Sequence, residues 1–189
     1  MRRSGRTFFL RTYGCQMNAE DSRRLAHLLR RSGYEEVPSA EMADAVIVNT
    51  CAVRAHAVRR ALSWVTSLQR VSARGSVVCL IGCAAELLGN NALGGVPGVS
   101  VICGPQHLGQ LPRLLADAFD GRRSVTIGPS STSVLPAAPA AGVSAAVPIT
   151  RGCDNLCSYC VVPYTRGRLR SRPENEIFGE IREAVAGGV

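Results

Sequence analysis

The chain has 189 residues, long enough for one domain with a real core and part of another, and 46% of its residues are hydrophobic, which fits a globular rather than a disordered protein. No apolar stretch approaches the ~18 residues of a membrane span, so a soluble protein with no membrane partner is expected. The formal net charge is +8 and all 22 basic residues are arginine, a bias that suits either a GC-rich coding sequence or an anionic partner such as RNA.

Eight cysteines without a secretory signal argue against a disulfide framework and for metal or redox chemistry. The first 19 residues hold arginines and no acid, in the manner of a transit peptide, but the run Thr7 to Thr12 already reads as a strand and leaves almost nothing to remove.

That strand ends at Tyr13-Gly14-Cys15. A polar turn follows, with Asn18 or Asp21 as the expected helix cap, and residues 22–33 carry apolar positions at helical spacing up to Gly33. "ADAVIVNT" is a second strand ending at Asn49-Thr50-Cys51, and residues 55–70 form an amphipathic helix with Val58, Leu62, Val65 and Leu68 on one face. "SVVCLIG" is a third strand, ending at Gly82-Cys83. "GVSVICG" is a fourth, followed by a helix over 108–121 or a short turn that becomes helical after Pro112.

Strands alternating with amphipathic helices predict βαβ units and an α/β fold: an open parallel sheet with flanking helices, flavodoxin- or Rossmann-like. The expected domain spans 1–125, and the Ser-, Pro-, Ala- and Gly-rich stretch 126–146 reads as a linker. A strand near Val143 to Thr150 is expected to open a second unit, 147–189, whose last helix starts at Pro173-Glu174. Pro148 suits the edge or start of that strand better than its centre. The final helix has Ile177, Ile181 and Val185 at fourfold spacing.

Cys15, Cys51 and Cys83 each follow the C-terminal end of a different strand, and in an open parallel sheet those ends share the edge where ligands bind. Three thiolates on one rim suit a soft metal or an iron–sulfur cluster; the alternative is three buried structural cysteines. Cys79, inside a strand, and Cys103, at the end of the fourth, are expected to be structural. Cys153, Cys157 and Cys160 form a C-x3-C-x2-C run within one loop, a spacing unlike the usual zinc pairs or the ferredoxin run. Three thiolates on a four-iron cube leave one iron open, as a catalytic metal site does for its substrate. Tyr159 offers an aromatic face for a bound adenine, or ordinary packing. Arg166, Arg168, Arg170 and Arg172 alternate after the loop; on an extended segment they would project to one side as an RNA-phosphate ladder, or else form a solvated charge run.

The loop Cys153, Cys157, Tyr159, Cys160 resembles the C-x3-C-x-aromatic-C motif of the radical S-adenosylmethionine (SAM) superfamily. With "TYGCQMN", "NTCAVR", "IGCAAE" and "RGCDNLCSYCVVPYTRGRLRSRP" in the same order, the chain resembles the methylthiotransferase family, most closely its MiaB-type branch. The resemblance implies two 4Fe-4S clusters, an auxiliary one on Cys15, Cys51 and Cys83 and a radical-generating one on Cys153, Cys157 and Cys160, with SAM bound at the open iron of the second. It implies a 2-methylthio group added to isopentenyl-adenosine beside the tRNA anticodon, with the tRNA anticodon stem-loop and an electron donor such as flavodoxin or ferredoxin as partners. A monomer in the cytoplasm is expected.

"RGRLRSR" is shared with the MtaB-type branch, which acts on threonylcarbamoyl-adenosine in tRNA. A non-catalytic iron–sulfur carrier or sensor and a structural zinc protein are the readings from other classes. Only 36 residues follow Cys153 (189 − 153), against ~250 for a full β/α barrel, so the expectation is the N-terminal part of a methylthiotransferase: the start of a radical SAM partial barrel, inactive alone.

Overall fold

The computed structural model describes residues 5–53, 55–68, 74–89, 95–130, 135–139 and 143–189. Six parallel strands form the central sheet: β1 (Arg6–Thr12), β2 (Tyr34–Glu36), β3 (Ala45–Thr50), β4 (Val77–Gly82), β5 (Val99–Cys103) and β6 (Ser124–Thr126). Their order is β2-β1-β3-β4-β5-β6, with every neighbouring pair parallel. The chain moves outward from β1 to β2 and then crosses back to β3 on the other side. The C-terminal ends of β1 and β3 therefore flank the point where the winding reverses, the position at which doubly wound sheets form a binding crevice.

The helices are α1 (Gln16–Arg31), α2 (Ala55–Ser67), α3 (Cys83–Leu88), α4 (Leu111–Phe119), α5 (Val162–Arg166) and α6 (Glu174–Ala186). Helices α1 and α4 cover one face of the sheet, and α2 and α3 the other. Ile47 and Ile81 join Leu25, Leu29, Leu111 and Leu115 in one core layer. Val46, Val48 and Leu80 join Ala61 and Val65 in the other. Every residue of β3 and β4 is buried, as two-sided coverage requires of central strands.

The sequence reading fits the four long strands and misses β2 and β6, each three residues long and too short to show a period. The second alternative for 108–121 is the one formed: a 3-10 turn at Leu108–Gln110, then α4 with Pro112 in its first turn, where a missing N–H costs nothing. The end of the expected second helix, residues 69 and 70, lies outside the described residues.

Two expectations are corrected. Helix α1 begins at Gln16, not near residue 22, and its N-cap is Cys15 in an extended conformation. The polar residues taken for a turn (Asn18, Glu20, Asp21) are helical and buried, because this face of α1 packs against polar and ionic partners rather than an apolar core. The strand expected over 143–150 is reduced to β7 (Thr150–Arg151), paired antiparallel with β8 (Arg170–Ser171) and separate from the main sheet. Pro148 has no N–H to give a ladder, and its carbonyl accepts a side-chain hydrogen bond from Arg172 instead (2.9 Å).

Within the stretch read as a linker, Leu135 is buried in the core layer under α1 and α4. Residues 150–186 are tied to the sheet domain by ion pairs. Glu180 of α6 contacts Arg24 and Arg172, and Arg24 also pairs with Glu20 one turn away at 2.6 Å. Helix α6 is turned unusually: it buries Glu180 and Ala184 and exposes Phe178, Ile181 and Val185.

Candidate functional site

The C-terminal ends of β1, β3 and β4 lie side by side, in register Thr12 to Asn49 and Thr50 to Gly82. Cys15, Cys51 and Cys83 follow these three ends, so one rim carries all three thiols. Cys51 and Cys83 are buried and Cys15 is half-buried. Two glycines let the backbone close in. Gly14 sits at φ +148°, and a Cβ there would stand 2.5 Å from Cys51 Cβ. Gly82 sits at φ +91°, and a Cβ there would stand 2.4 Å from Asn49 Oδ1 and 2.5 Å from the Thr50 carbonyl. Any side chain at either position would collide with the chain that presents the neighbouring thiol.

Amides hold the rim. Asn49 Nδ2 donates to the Asn18 carbonyl (3.0 Å) and to Ser22 Oγ (2.9 Å), while Asn18 Nδ2 donates to Asn49 Oδ1 (3.3 Å). Thr50 Oγ1 donates to the Ile81 carbonyl at 2.6 Å, joining β3 to β4 just before their cysteines. Asn18 Oδ1 accepts from Cys15 Sγ at 3.5 Å and from Arg166 Nη2 at 3.0 Å.

Arg166 ends α5, six residues past Cys160, and its guanidinium is inserted into this rim. Nη2 donates to Asp21 Oδ2 at 2.9 Å, and Arg151 Nη2 stands 3.0 Å from Asp21 Oδ1. Burial pushes the Cys83 thiol up, while the Arg166 charge and hydrogen bonds from Thr165 and Arg166 pull the other way; the net direction is upward. Arg166 itself is lowered by burial and raised by Asp21, Cys83 and Cys15, and the raising effects win. A cation held by Asp21 thus faces two of the three thiols.

Cys79 and Cys103 have the burial expected of structural cysteines. Both are fully buried in the core layer. Burial pushes the Cys79 thiol far up, and Cys103 is pushed up to about 12, so both remain protonated and inert. Cys153, Cys157 and Cys160 lie on the loop between β7 and α5, with Cys157 exposed. The Cys153 amide donates to the Gly167 carbonyl (3.1 Å) and the Cys160 amide to the Cys157 carbonyl (3.0 Å). Tyr159 is 89% exposed, so its ring face is open with respect to the described residues.

Among the described residues, no three His, Cys, Asp or Glu side chains are gathered around a point that could hold a single metal ion. A tetrahedral zinc shell brings thiolates to roughly 4 Å of one another, given a Zn–S bond near 2.3 Å, and the structural-zinc reading draws no support from this arrangement. The donor set fits an iron–sulfur cube by its chemistry: three thiols at neighbouring strand ends, with backbone pared to glycine beside two of them and a buried cation opposite.

The arginine ladder is corrected. Arg166 is helical and buried against Asp21. Arg172 pairs with Glu180 at 2.7 Å, Arg170 lies on β8, and Arg168 and Arg170 are exposed. The four do not form one row. Sequence reasoning missed Asn18, Asp21, Asn49 and Arg151, all of which shape the rim.

A family profile described as Uncharacterized protein family UPF0004 matches residues 7–104, which carry β1 to β5 and the three strand-end cysteines. The chain belongs to this family. Among curated relatives of this UPF0004 chain, the tRNA-2-methylthio-N(6)-dimethylallyladenosine synthase of Geobacter metallireducens is 40% identical over 187 residues. That match covers 96% of this chain and 42% of the relative. The proteins of the same name from Novosphingobium aromaticivorans (37% identical) and Chlorobium phaeobacteroides (38%) match over 98% and 95% of this chain, and 42% and 41% of their own lengths. The chain thus spans about two fifths of the length of the relatives it matches. Among the described residues, no helix is long and apolar enough to cross a membrane.

Proposed function

We propose that this chain is part of a tRNA methylthiotransferase and supplies the thiol ligands of its two 4Fe-4S clusters. The observation that carries the reading is the convergence of Cys15, Cys51 and Cys83 on one sheet rim, next to the switch in strand winding, with Arg166 linking that rim to the segment that bears the second cysteine trio. The printed names of the relatives favour the dimethylallyladenosine substrate over the threonylcarbamoyl one. The 2-methylthio group, the tRNA anticodon stem-loop, an electron donor of the flavodoxin or ferredoxin kind, a monomeric state and a cytoplasmic location all belong to this proposal.

Cys15, Cys51 and Cys83 would hold the auxiliary cluster. Cys153, Cys157 and Cys160 would hold the cluster whose chemistry is reductive cleavage of SAM at its open iron. The remaining work is done by side chains in place. Asn18 and Asn49 fix the spacing of the β1 and β3 ends. Arg166, hydrogen-bonded to Asn18 and Asp21, sets its charge beside Cys83 and offsets thiolate charge in a buried setting, where an uncompensated anion would be costly. Tyr159 offers an unoccupied ring face beside Cys160, suited to stacking on an adenine.

The test is anaerobic reconstitution of the purified chain with iron and sulfide, followed by metal analysis, together with nucleoside mass spectrometry of tRNA from a strain lacking the gene. Iron and sulfide for two four-iron cubes, halved by Cys51→Ser, and loss of the 2-methylthio nucleoside are expected. Zinc without sulfide, or unchanged tRNA, would overturn the proposal.

A further inference from the structure

A cavity of about 290 Å³ opens beside the β7–β8 ribbon and the start of α6, and it is lined by Arg24, Arg151, Arg166, Arg168, Arg170 and Arg172. Among the described residues, the only carboxylate lining it is Glu176. These cations are not all balanced. Arg24 is engaged by Glu20 and Glu180, Arg151 and Arg166 share the single carboxylate of Asp21, and Arg172 pairs with Glu180. Among the described residues no carboxylate lies within ion-pair distance of Arg168 or Arg170; the Arg170 guanidinium donates to the neutral Ser130 carbonyl.

One further sign of missing negative charge stands beside these. Arg172 Nε is buried without a hydrogen-bond acceptor, its nearest carboxylate oxygen, on Glu176, lying 3.7 Å away.

Crowded guanidinium groups in a half-enclosed space are stabilised by an anion with several acceptor oxygens. A carboxylate offers two oxygens and one charge. A phosphate ester offers more oxygens, and the planar fork of arginine matches their spacing. We propose that this cavity is a binding site for a phosphate ester group, presented by the backbone of single-stranded RNA or by a mononucleotide. Its volume is near the lower end of ligand pockets, room for one such group and its sugar but not for a duplex. Arg168 and Arg170, exposed and free of carboxylates, are the residues that meet it. The inference is independent of the iron–sulfur reading, because none of these residues is a thiol ligand.

The experiment uses the purified 189-residue chain, with inorganic phosphate and AMP titrated by calorimetry and a labelled single-stranded oligoribonucleotide by fluorescence anisotropy at several salt concentrations. Arg168→Ala/Arg170→Ala is compared with Arg31→Ala/Arg59→Ala, which removes the same charge from exposed positions outside the cavity. The cavity variant is expected to weaken oligonucleotide binding at least tenfold and to flatten the log–log salt slope by about 1.4, the value for two lost contacts to a single strand. The control variant is expected to change affinity less than about threefold, since charges beyond a Debye length are largely screened. Competition by AMP and phosphate assigns the site to small phosphate compounds, and binding of the oligonucleotide alone assigns it to an RNA backbone; both support the proposal. Equal losses in the two variants, or no binding of any of the three probes at millimolar concentration, overturn it. Circular dichroism of each variant monitors folding, and should the double alanine variant unfold, Arg168→Gln and Arg170→Gln singly are read in its place.

Discussion

Arg166 holds two roles toward residues far from it in sequence: it neutralises Asp21 on α1, 145 positions away (166 − 21), and its charge faces the Cys83 thiol after β4, 83 positions away (166 − 83). Arg166→Leu strands the Asp21 carboxylate with Arg151 alone and should cost roughly 3 kcal/mol in denaturant unfolding, the usual penalty for breaking a buried pair from one side. Arg166→Lys keeps the charge without the fork and should recover only part of that loss. Gly82→Ala should be at least as damaging, at about 3 kcal/mol or more, because φ +91° and the contacts to Asn49 and Thr50 penalise the same added atom. Cys79→Ala, by contrast, removes a small buried side chain and should cost about 1–2 kcal/mol while leaving the iron content of the reconstituted chain unchanged. At this scale the sequence shows which cysteines face the rim, since a thiol one residue past a buried strand is pinned by the strand's direction. It does not show Asn18, Asp21 or Arg151, because a buried polar residue on a helix is written with the same letters as an exposed one, and only its distant partner tells them apart.

Helices α1 and α6 meet through charge rather than hydrocarbon. Glu180 lies between Arg24 and Arg172, and although burial raises its carboxyl, hydrogen bonds and charges from both arginines hold it below the usual range on balance. A carboxyl depressed in the folded state adds stability that is complete above its unfolded pKa, about 4.3, and is lost as pH falls through the lower folded value. Glu180→Gln should therefore destabilise the chain by roughly 3 kcal/mol at pH 7 and by much less near pH 3, as read from urea midpoints at the two pH values. Ile181→Glu, one position along on the exposed side, should change stability by no more than about 0.5 kcal/mol. The periodicity of Ile177, Ile181 and Val185 announces this helix correctly but suggests the wrong inward face, since an apolar stripe ordinarily faces a core and here an ionic cluster takes that place. The start of α1 was hidden for the same reason.

Across the whole molecule, the open parallel α/β sheet was readable because β3 and β4 are unbroken apolar runs separated by an amphipathic helix, whereas the strand order was not, since it turns on the three-residue β2. The placement of residues 150–186 was not readable either, since it depends on pairings such as Arg24 with Glu180 that leave no period in the sequence. The outermost strands of the sheet, β2 and β6, are each three residues long. A rim of backbone so brief offers another polypeptide few free amide and carbonyl groups to extend the ladder. The long, sticky strands β3 and β4 are locked in the interior, so growth of the sheet from molecule to molecule, the first step toward fibrils, has almost no template at either border.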